Sequence, residues 1–143
     1  MEISLRDVID SDLPTFFEHQ REPEANAMAA FPSRDRVTFM AHWSRIRQDE
    51  STILKTILCD GQVAGNVVSF NMEGKREVGY WIGSKFWGLG LATEALKLFL
   101  EIEKTRPVYG VVARHNIGSQ RVLEKSGFEI FSQNKDELIL VLT

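Results

Sequence analysis

Cysteine and histidine are scarce in this sequence, with one cysteine and three histidines among 143 residues. The single cysteine, Cys59, excludes an intrachain disulfide and a zinc cluster built from cysteines. No two histidines have the spacing of a metal-binding pair. We therefore predict no metal site, and we expect Cys59, which stands in an apolar run, to be a buried thiol.

Long apolar runs and an excess of positive charge are also missing. The apolar stretches are far shorter than the roughly 20 residues that span a bilayer, and charges interrupt the N-terminal segment MEISLRDVID, unlike a signal peptide. The formal net charge of −3 argues against a general nucleic-acid or anionic-membrane surface. We expect a single domain over residues 1–143, located in the cytoplasm, with no nucleic-acid or membrane partner.

The pattern of the remaining sequence predicts an α/β chain with a mixed, mostly antiparallel central sheet of six or seven strands flanked by helices. The dipeptide Asp60-Gly61 and the segment NMEGK (71–75) predict two tight hairpins. A helical crossover after the third hairpin strand predicts that strand 107–114 runs parallel to it. Predicted strands cover 2–6, 51–59, 62–71, 75–83, 107–114, 128–133 and 137–143, and predicted helices cover 10–20, 21–31, 33–48, 91–104 and 116–127.

Two glycines stand where a helix is predicted to begin, in KFWGLGLATEAL (85–96). Backbone N–H groups at a helix N-terminus bind phosphate, and Gly88 and Gly90 would let a ligand approach the chain closely. The dinucleotide fingerprint is incomplete because Thr93 replaces its third glycine, and no P-loop lysine follows. From this stretch alone, a plain turn between strand and helix remains an alternative.

Two blocks of the sequence resemble the GNAT family of N-acetyltransferases. The family's phosphate loop, Gln/Arg-x-x-Gly-x-Gly/Ala, falls on residues 87–92, and a second block reads ARHNIGSQRVLEKSGF (113–128). Together they cover roughly residues 76–130 and are similar to the branch that includes ribosomal-protein N-terminal acetyltransferases. Trp87 departs from the general pattern, which has Gln or Arg at that position.

The resemblance implies a GNAT-like acyl-CoA N-acyltransferase fold, with acetyl-CoA as donor and no metal. The acceptor would be a primary amine of a small molecule or of a peptide or protein N-terminus, attacking directly in a ternary complex. It assigns the pyrophosphate to the loop, where Gly88 gives clearance. The predicted donors are the N–H groups of Leu89, Gly90, Leu91, Ala92 and Thr93.

The resemblance further implies that the pantetheine arm pairs with the strand end at Tyr80, Trp81 and Ile82, which is expected to separate from strand 107–114. A backbone N–H of Trp81 or Ile82 would polarise the thioester carbonyl. Asn116 would contact the cofactor arm, although a plain helix N-cap is an equal interpretation.

Ser119 is the candidate general acid, because it lies one helical turn from Asn116 on the same face, although a helix-surface hydroxyl is an equal interpretation. The family's tyrosine further along this helix is missing here. Glu77, on the third hairpin strand, is the candidate base. The alternative interpretation is that Glu77 is an ordinary solvated charge on that strand. His115, next to Asn116, is a second candidate base but is more simply interpreted as a loop histidine.

Two other functions stay open from the sequence: a catalytically silent acyl-CoA-binding module, and an unrelated nucleotide- or phosphate-binding α/β domain. The family resemblance also allows a homodimer.

Overall fold

The computed structural model describes residues 1–143 and contains one seven-stranded sheet in the order β1-β2-β3-β4-β5-β7-β6. Only β4 and β5 are parallel, so the sheet is mixed and mostly antiparallel, as predicted. The strands are β1 (Ile3–Asp7), β2 (Ile53–Cys59), β3 (Gln62–Met72), β4 (Lys75–Ile82), β5 (Val108–Ala113), β6 (Glu129–Gln133) and β7 (Glu137–Leu142), and the helices are α1 (Leu13–Gln20), α2 (Pro23–Ala29), α3 (Arg36–Gln48), α4 (Leu91–Leu100) and α5 (Ile117–Lys125).

Both predicted hairpins are present. Asp60 and Gly61 have φ values of 49° and 83°, and Glu73 and Gly74 have values of 52° and 81°. Two consecutive positive φ values define the type I′ turn, whose twist matches that of the strands it joins. The two turns therefore set the register of β2, β3 and β4.

Helices cover the two faces of the sheet. A larger apolar core joins α4 and α5 to one face, and a smaller aromatic core joins α1 and α3 to the other. Val67 belongs to the larger core and Val68 packs on the smaller one, as strand alternation requires. The smaller core is formed by Phe16, Phe17, Phe39 and Trp43.

Helix α4 is shorter than the predicted 91–104, because it ends at Leu100. The chain then turns inward at Glu103, whose side chain is 2% exposed and accepts hydrogen bonds from the Ser69 hydroxyl and from Arg76 Nε at 2.8 Å. These contacts anchor the end of α4 to β3 and β4. No helix of the chain combines the length and the apolar character needed to cross a membrane.

The parallel strands β4 and β5 pair over only three positions, from Arg76 with Val108 to Val78 with Gly110. Beyond Val78, β4 stays paired with β3 but loses β5 as a neighbour. The predicted separation of these strands is confirmed, and it opens a gap in the sheet at the N-terminus of α4.

Candidate active site

A cavity of about 320 Å³ lies at the gap between β4 and β5. Its wall is formed by α2, the end of β4, the loop into α4, the first turn of α4, and the start of α5. The lining residues are Ala25, Met28, Ala29, Tyr80, Trp81, Ile82, Phe86, Trp87, Gly88, Gly90, Leu91, Ala92, Thr93, Asn116, Gly118, Ser119 and Val122.

The two glycines of the loop both have left-handed backbone conformations, with φ of 79° at Gly88 and 74° at Gly90. A Cβ placed on either residue would meet no atom within 4 Å. The left-handed backbone conformation, and not contact with neighbouring atoms, therefore favours glycine at both positions. The open space beside each glycine borders the cavity.

The first turn of α4 presents free hydrogen-bond donors. The first helical backbone bond runs from Glu94 N–H to Gly90 O at 3.2 Å, and the N–H groups of residues 89–93 donate to no protein acceptor. An anion at this helix end would meet several donors together with the positive end of the helix dipole. The Leu89 side chain is half exposed and lies outside the cavity wall, so only its backbone belongs to the predicted cradle.

At the end of β4, every second residue directs its N–H and C=O groups toward the gap. Met72 pairs with Lys75 across the tight hairpin, and alternation from that pair directs the backbone of Trp81 toward β3 and that of Ile82 toward the gap. Two observations agree: Gly65 on β3 packs against the Trp81 carbonyl, and the Trp87 indole donates to the Ile82 carbonyl at 3.0 Å. Of the two predicted carbonyl-polarising donors, the geometry supports the N–H of Ile82 and not that of Trp81.

Two hydroxyl groups meet where β4 faces α5. Asn116 caps α5 by accepting a hydrogen bond from the Ser119 N–H at 3.1 Å, and the Tyr80 hydroxyl donates to Ser119 Oγ at 2.9 Å. Burial raises the pKa of the Tyr80 phenol, and the hydrogen bond to Ser119 lowers it by a smaller amount. Ser119 and Asn116 both line the cavity, and Asn116 is also the N-cap of α5.

Sequence comparison agrees with this architecture. A family model described as "Acetyltransferase (GNAT) domain" matches residues 2–129. The chain belongs to the GNAT acetyltransferase family. It is 34% identical over 101 residues to "Putative ribosomal N-acetyltransferase YdaF" of Bacillus subtilis (strain 168), covering 65% of this GNAT chain and 55% of that relative's length.

Solved structures of other N-acetyltransferases share the fold. A spermidine N-acetyltransferase from Vibrio cholerae in complex with CoA and spermine superimposes with a TM-score of 0.81 at 16% identity, covering 98% of this chain and 94% of that one. The Campylobacter jejuni N-acetyltransferase PseH in complex with acetyl coenzyme A gives a TM-score of 0.71 at 18% identity, covering 99% and 98%.

Glu77 of this GNAT chain lies outside the cavity wall. It pairs with Tyr109 of β5, before the two strands separate. Burial, and then the nearby charges of Glu137 and Glu73, raise the pKa of its carboxyl. The structure does not bring Glu77 together with Ser119, and its role as base stays a prediction.

The other candidate base, His115, faces α2 instead of the cavity. Its Nε2 lies 2.8 Å from the Ala27 carbonyl oxygen, and the ring does not contribute to the cavity wall.

Two contributions to this GNAT site were not predicted from the sequence. Only the backbone of Tyr80 was assigned to the site, although strand alternation puts the Tyr80 side chain on the face of the sheet that α4 and α5 cover. The polar contacts that hold α2 against the cavity were also not predicted. Glu22, next to α2, accepts hydrogen bonds from the Ser84 N–H and hydroxyl at 2.9 and 2.6 Å, while the Trp81 indole donates to the His19 carbonyl at 3.2 Å.

Proposed function

We propose that this chain transfers the acetyl group of acetyl-CoA to a primary amine by direct attack in a ternary complex. The amine belongs to a small molecule or to a peptide N-terminus. One observation carries the proposal: a single cavity joins the free N–H groups of α4 to the opened edge of β4 and to the Ser119 hydroxyl.

The residues present fit acetyl-CoA, which supplies an activated thioester. Gly88 and Gly90 leave room beside the backbone, and the N–H groups of residues 89–93 are placed to bind the pyrophosphate. Binding at a helix N-terminus needs no basic side chain, and the cavity wall contains none. The Thr93 hydroxyl adds one further donor at the same end.

The opened edge of β4 supplies backbone groups for the pantetheine arm. Tyr80 has an N–H and a C=O group, and Ile82 has an N–H group, that no longer face β5, so an extended amide chain can pair with them as a strand would. The Ile82 carbonyl already accepts a hydrogen bond from the Trp87 indole. The Ile82 N–H is the donor that we assign to the thioester carbonyl. A positioned donor of this kind stabilises the negative charge that develops on the carbonyl oxygen during attack.

Two proton transfers accompany the reaction. The acceptor must lose a proton to become nucleophilic, and the departing thiolate must gain one. Ser119 is our candidate for protonating the thiolate because its hydroxyl lines the cavity. Glu77 is our candidate base, acting through water because it stands outside the cavity wall.

A thermal-shift experiment with CoA and acetyl-CoA tests the cofactor site. A ligand that binds only the folded state stabilises it by about 2.7 kcal/mol at a hundredfold excess over Kd. We expect this shift in the wild type and its loss in Gly90→Glu, whose side chain enters the cradle. Gly74→Glu is the matched control, because Gly74 has a φ of 81° and open space at a turn away from the cavity.

An amine-panel assay of thiol release then tests turnover. Release with any amine supports the acetyltransferase. A CoA shift without release from any amine would contradict it and favour a silent acyl-CoA-binding module. Shifts with nucleotides and none with CoA would favour a different phosphate ligand.

A further inference from the structure

We propose that Tyr80 positions the Ser119 hydroxyl and supplies the proton that Ser119 passes to the departing thiolate. The inference rests on the proposed acetyl transfer and extends it by a residue from a different element of the fold. Tyr80 acts through Ser119 and is therefore a positioning residue. Its observed contact is the hydrogen bond from the Tyr80 hydroxyl to Ser119 Oγ at 2.9 Å.

The backbone holds both hydroxyl groups in place. Ser119 lies in the first turn of α5, where its N–H is bound by the capping side chain of Asn116 at 3.1 Å. Tyr80 lies on β4, paired with Val67 of the neighbouring strand, and its ring packs against the larger core. Because both backbones are fixed, the contact between them does not depend on a mobile loop.

The direction of the hydrogen bond leaves Ser119 ready to donate. A hydroxyl has one proton and two acceptor lone pairs. Since Ser119 Oγ accepts from Tyr80, its own proton is free to point into the cavity that it lines. Without Tyr80, no hydrogen bond from β4 would hold Ser119 Oγ in this orientation.

The surroundings of Tyr80 keep its phenol protonated at neutral pH. Tyr80 is the one titratable side chain among the cavity-lining residues, so no charged group of α2, β4, the loop, α4 or α5 faces it across the cavity. Burial raises the pKa of the phenol. The phenol therefore stays protonated through the neutral pH range and can serve as a donor.

In the proposed transfer, protons move through the hydroxyl pair to the sulfur. The neutral amine forms a C–N bond with the acetyl carbon, and the C–S bond breaks with its electron pair going to sulfur. Ser119 gives its hydroxyl proton to that sulfur and takes the phenolic proton of Tyr80. The nitrogen loses one proton to water, and the Tyr80 phenolate regains one from water, so CoA thiol and acetamide are the products.

A titration tests the contact without requiring turnover. The chain has two tyrosines, so in Tyr109→Phe the ultraviolet signal of phenolate formation reports Tyr80 alone. We compare the complexes with CoA and with desulfo-CoA, which lacks the sulfur. A thiol ionises before a phenol, so a thiolate near the hydroxyl pair should raise the pKa of Tyr80 above that in the desulfo-CoA complex. Equal values in the two complexes would overturn the inference.

The Ser119→Ala variant, in the same Tyr109→Phe background, adds a second reading of the titration. The Ser119 hydroxyl can donate its own proton to the phenolate, so its loss should raise the pKa of Tyr80 in the ligand-free protein. An unchanged pKa would show that the hydrogen bond has no effect on the phenol and would also overturn the inference.

Kinetics then separate proton supply from packing. Tyr80→Phe keeps the ring and should lower kcat by about a hundredfold while the Kd for CoA stays the same. The double variant Tyr80→Phe/Ser119→Ala should lose little more than Ser119→Ala, because residues that act as a unit are not additive. Tyr109→Phe, whose ring packs edge-on against Phe131 instead of lining the cavity, should keep the wild-type kcat.

Replacing Tyr80 with 3-fluorotyrosine in the Tyr109→Phe background changes the acidity of the phenol and hardly changes its packing. The pH dependence of kcat then separates the two roles. The fluorinated phenol is more acidic, so the alkaline limb of the pH dependence of kcat should shift to lower pH. A limb that does not move, or a Tyr80→Phe variant with the kcat of Tyr109→Phe, would overturn the inference while acetyl transfer stands. If no variant turns over any amine, the proposed function fails instead, and the titration still decides the contact.

Discussion

At the scale of single residues, Glu77 lies on the same face of β4 as Trp81 but outside the cavity. A base at this place would act on the amine through water. Burial and the charges of Glu137 and Glu73 raise the pKa of Glu77. A base must be deprotonated to act, so activity should fall as the pH falls through this raised pKa, above the ordinary range of a carboxyl.

We expect Glu77→Gln to lower kcat/KM by about a hundredfold and to remove the acidic limb of the pH profile. Glu73→Gln is the control, because Glu73 is an exposed turn carboxylate on the same hairpin. It should keep the limb and shift it to lower pH, since one repelling charge is gone. Superimposable profiles for Glu77→Gln and the wild type would rule out Glu77 as the base.

At the scale of an element, the position of α4 is fixed at the end opposite the phosphate cradle. Glu103, just past the helix, accepts a hydrogen bond from Arg76 Nε at 2.8 Å and another from the Thr105 N–H at 3.1 Å. Burial alone would raise the pKa of Glu103, but the hydrogen bonds from Ser69, Arg76 and Thr105 prevail and lower it. Glu103 is therefore an ionised carboxylate in the folded protein.

Replacing Glu103 by Gln leaves the Arg76 guanidinium, whose side chain is 9% exposed, without its ionic partner. Removing one member of a buried ion pair costs about 3 kcal/mol of unfolding free energy. Urea unfolding at neutral pH should show this loss. Glu101→Gln, an exposed carboxylate at the same helix end, should change the unfolding free energy by less than about 0.5 kcal/mol.

The loss should also depend on pH. Because the folded pKa of Glu103 is lowered, its stabilisation is fully present above the pKa of the unfolded chain and disappears as the pH falls through the folded value. The difference between wild type and Glu103→Gln should therefore shrink in acid. A difference that stays constant down to about pH 2 would mean that the ion pair is not its source.

At the scale of the whole molecule, local patterns account for the sheet but not for the contacts that close the site. The hairpins, the crossover and the glycine loop each depend on a few neighbouring residues, and the sequence indicated all three. The hydrogen bond from Tyr80 to Ser119 joins residues 39 positions apart, and that from Ser84 to Glu22 joins residues 62 apart. Periodicity and turn chemistry hold no information about such pairs, because tertiary packing alone brings them together.

Helix α2 connects the two sides of the gap between β4 and β5. Ser84, beyond the end of β4, donates its N–H and hydroxyl to Glu22 at 2.9 and 2.6 Å. At the other end of the helix, the Ala27 carbonyl lies 2.8 Å from Nε2 of His115, which follows β5. The helix thus forms a wall of the cavity that is fixed at both ends by polar contacts.

We expect Glu22→Ala to free one end of α2. Hydrogen bonds to a charged group contribute about 1.5–3 kcal/mol, so amides in 23–30 should exchange with deuterium about tenfold faster or more. Because α2 is a wall of the cavity in which the amine must reach the thioester, the KM for the acceptor amine should rise. The Kd for CoA should stay unchanged, because the phosphate cradle lies on α4. Glu24→Ala removes an exposed carboxylate of the same helix that makes no hydrogen bond and should leave exchange near the wild-type rate. If exchange in Glu22→Ala also matched the wild type, the buried Ala25 side chain, 5% exposed, would be what holds the helix in place.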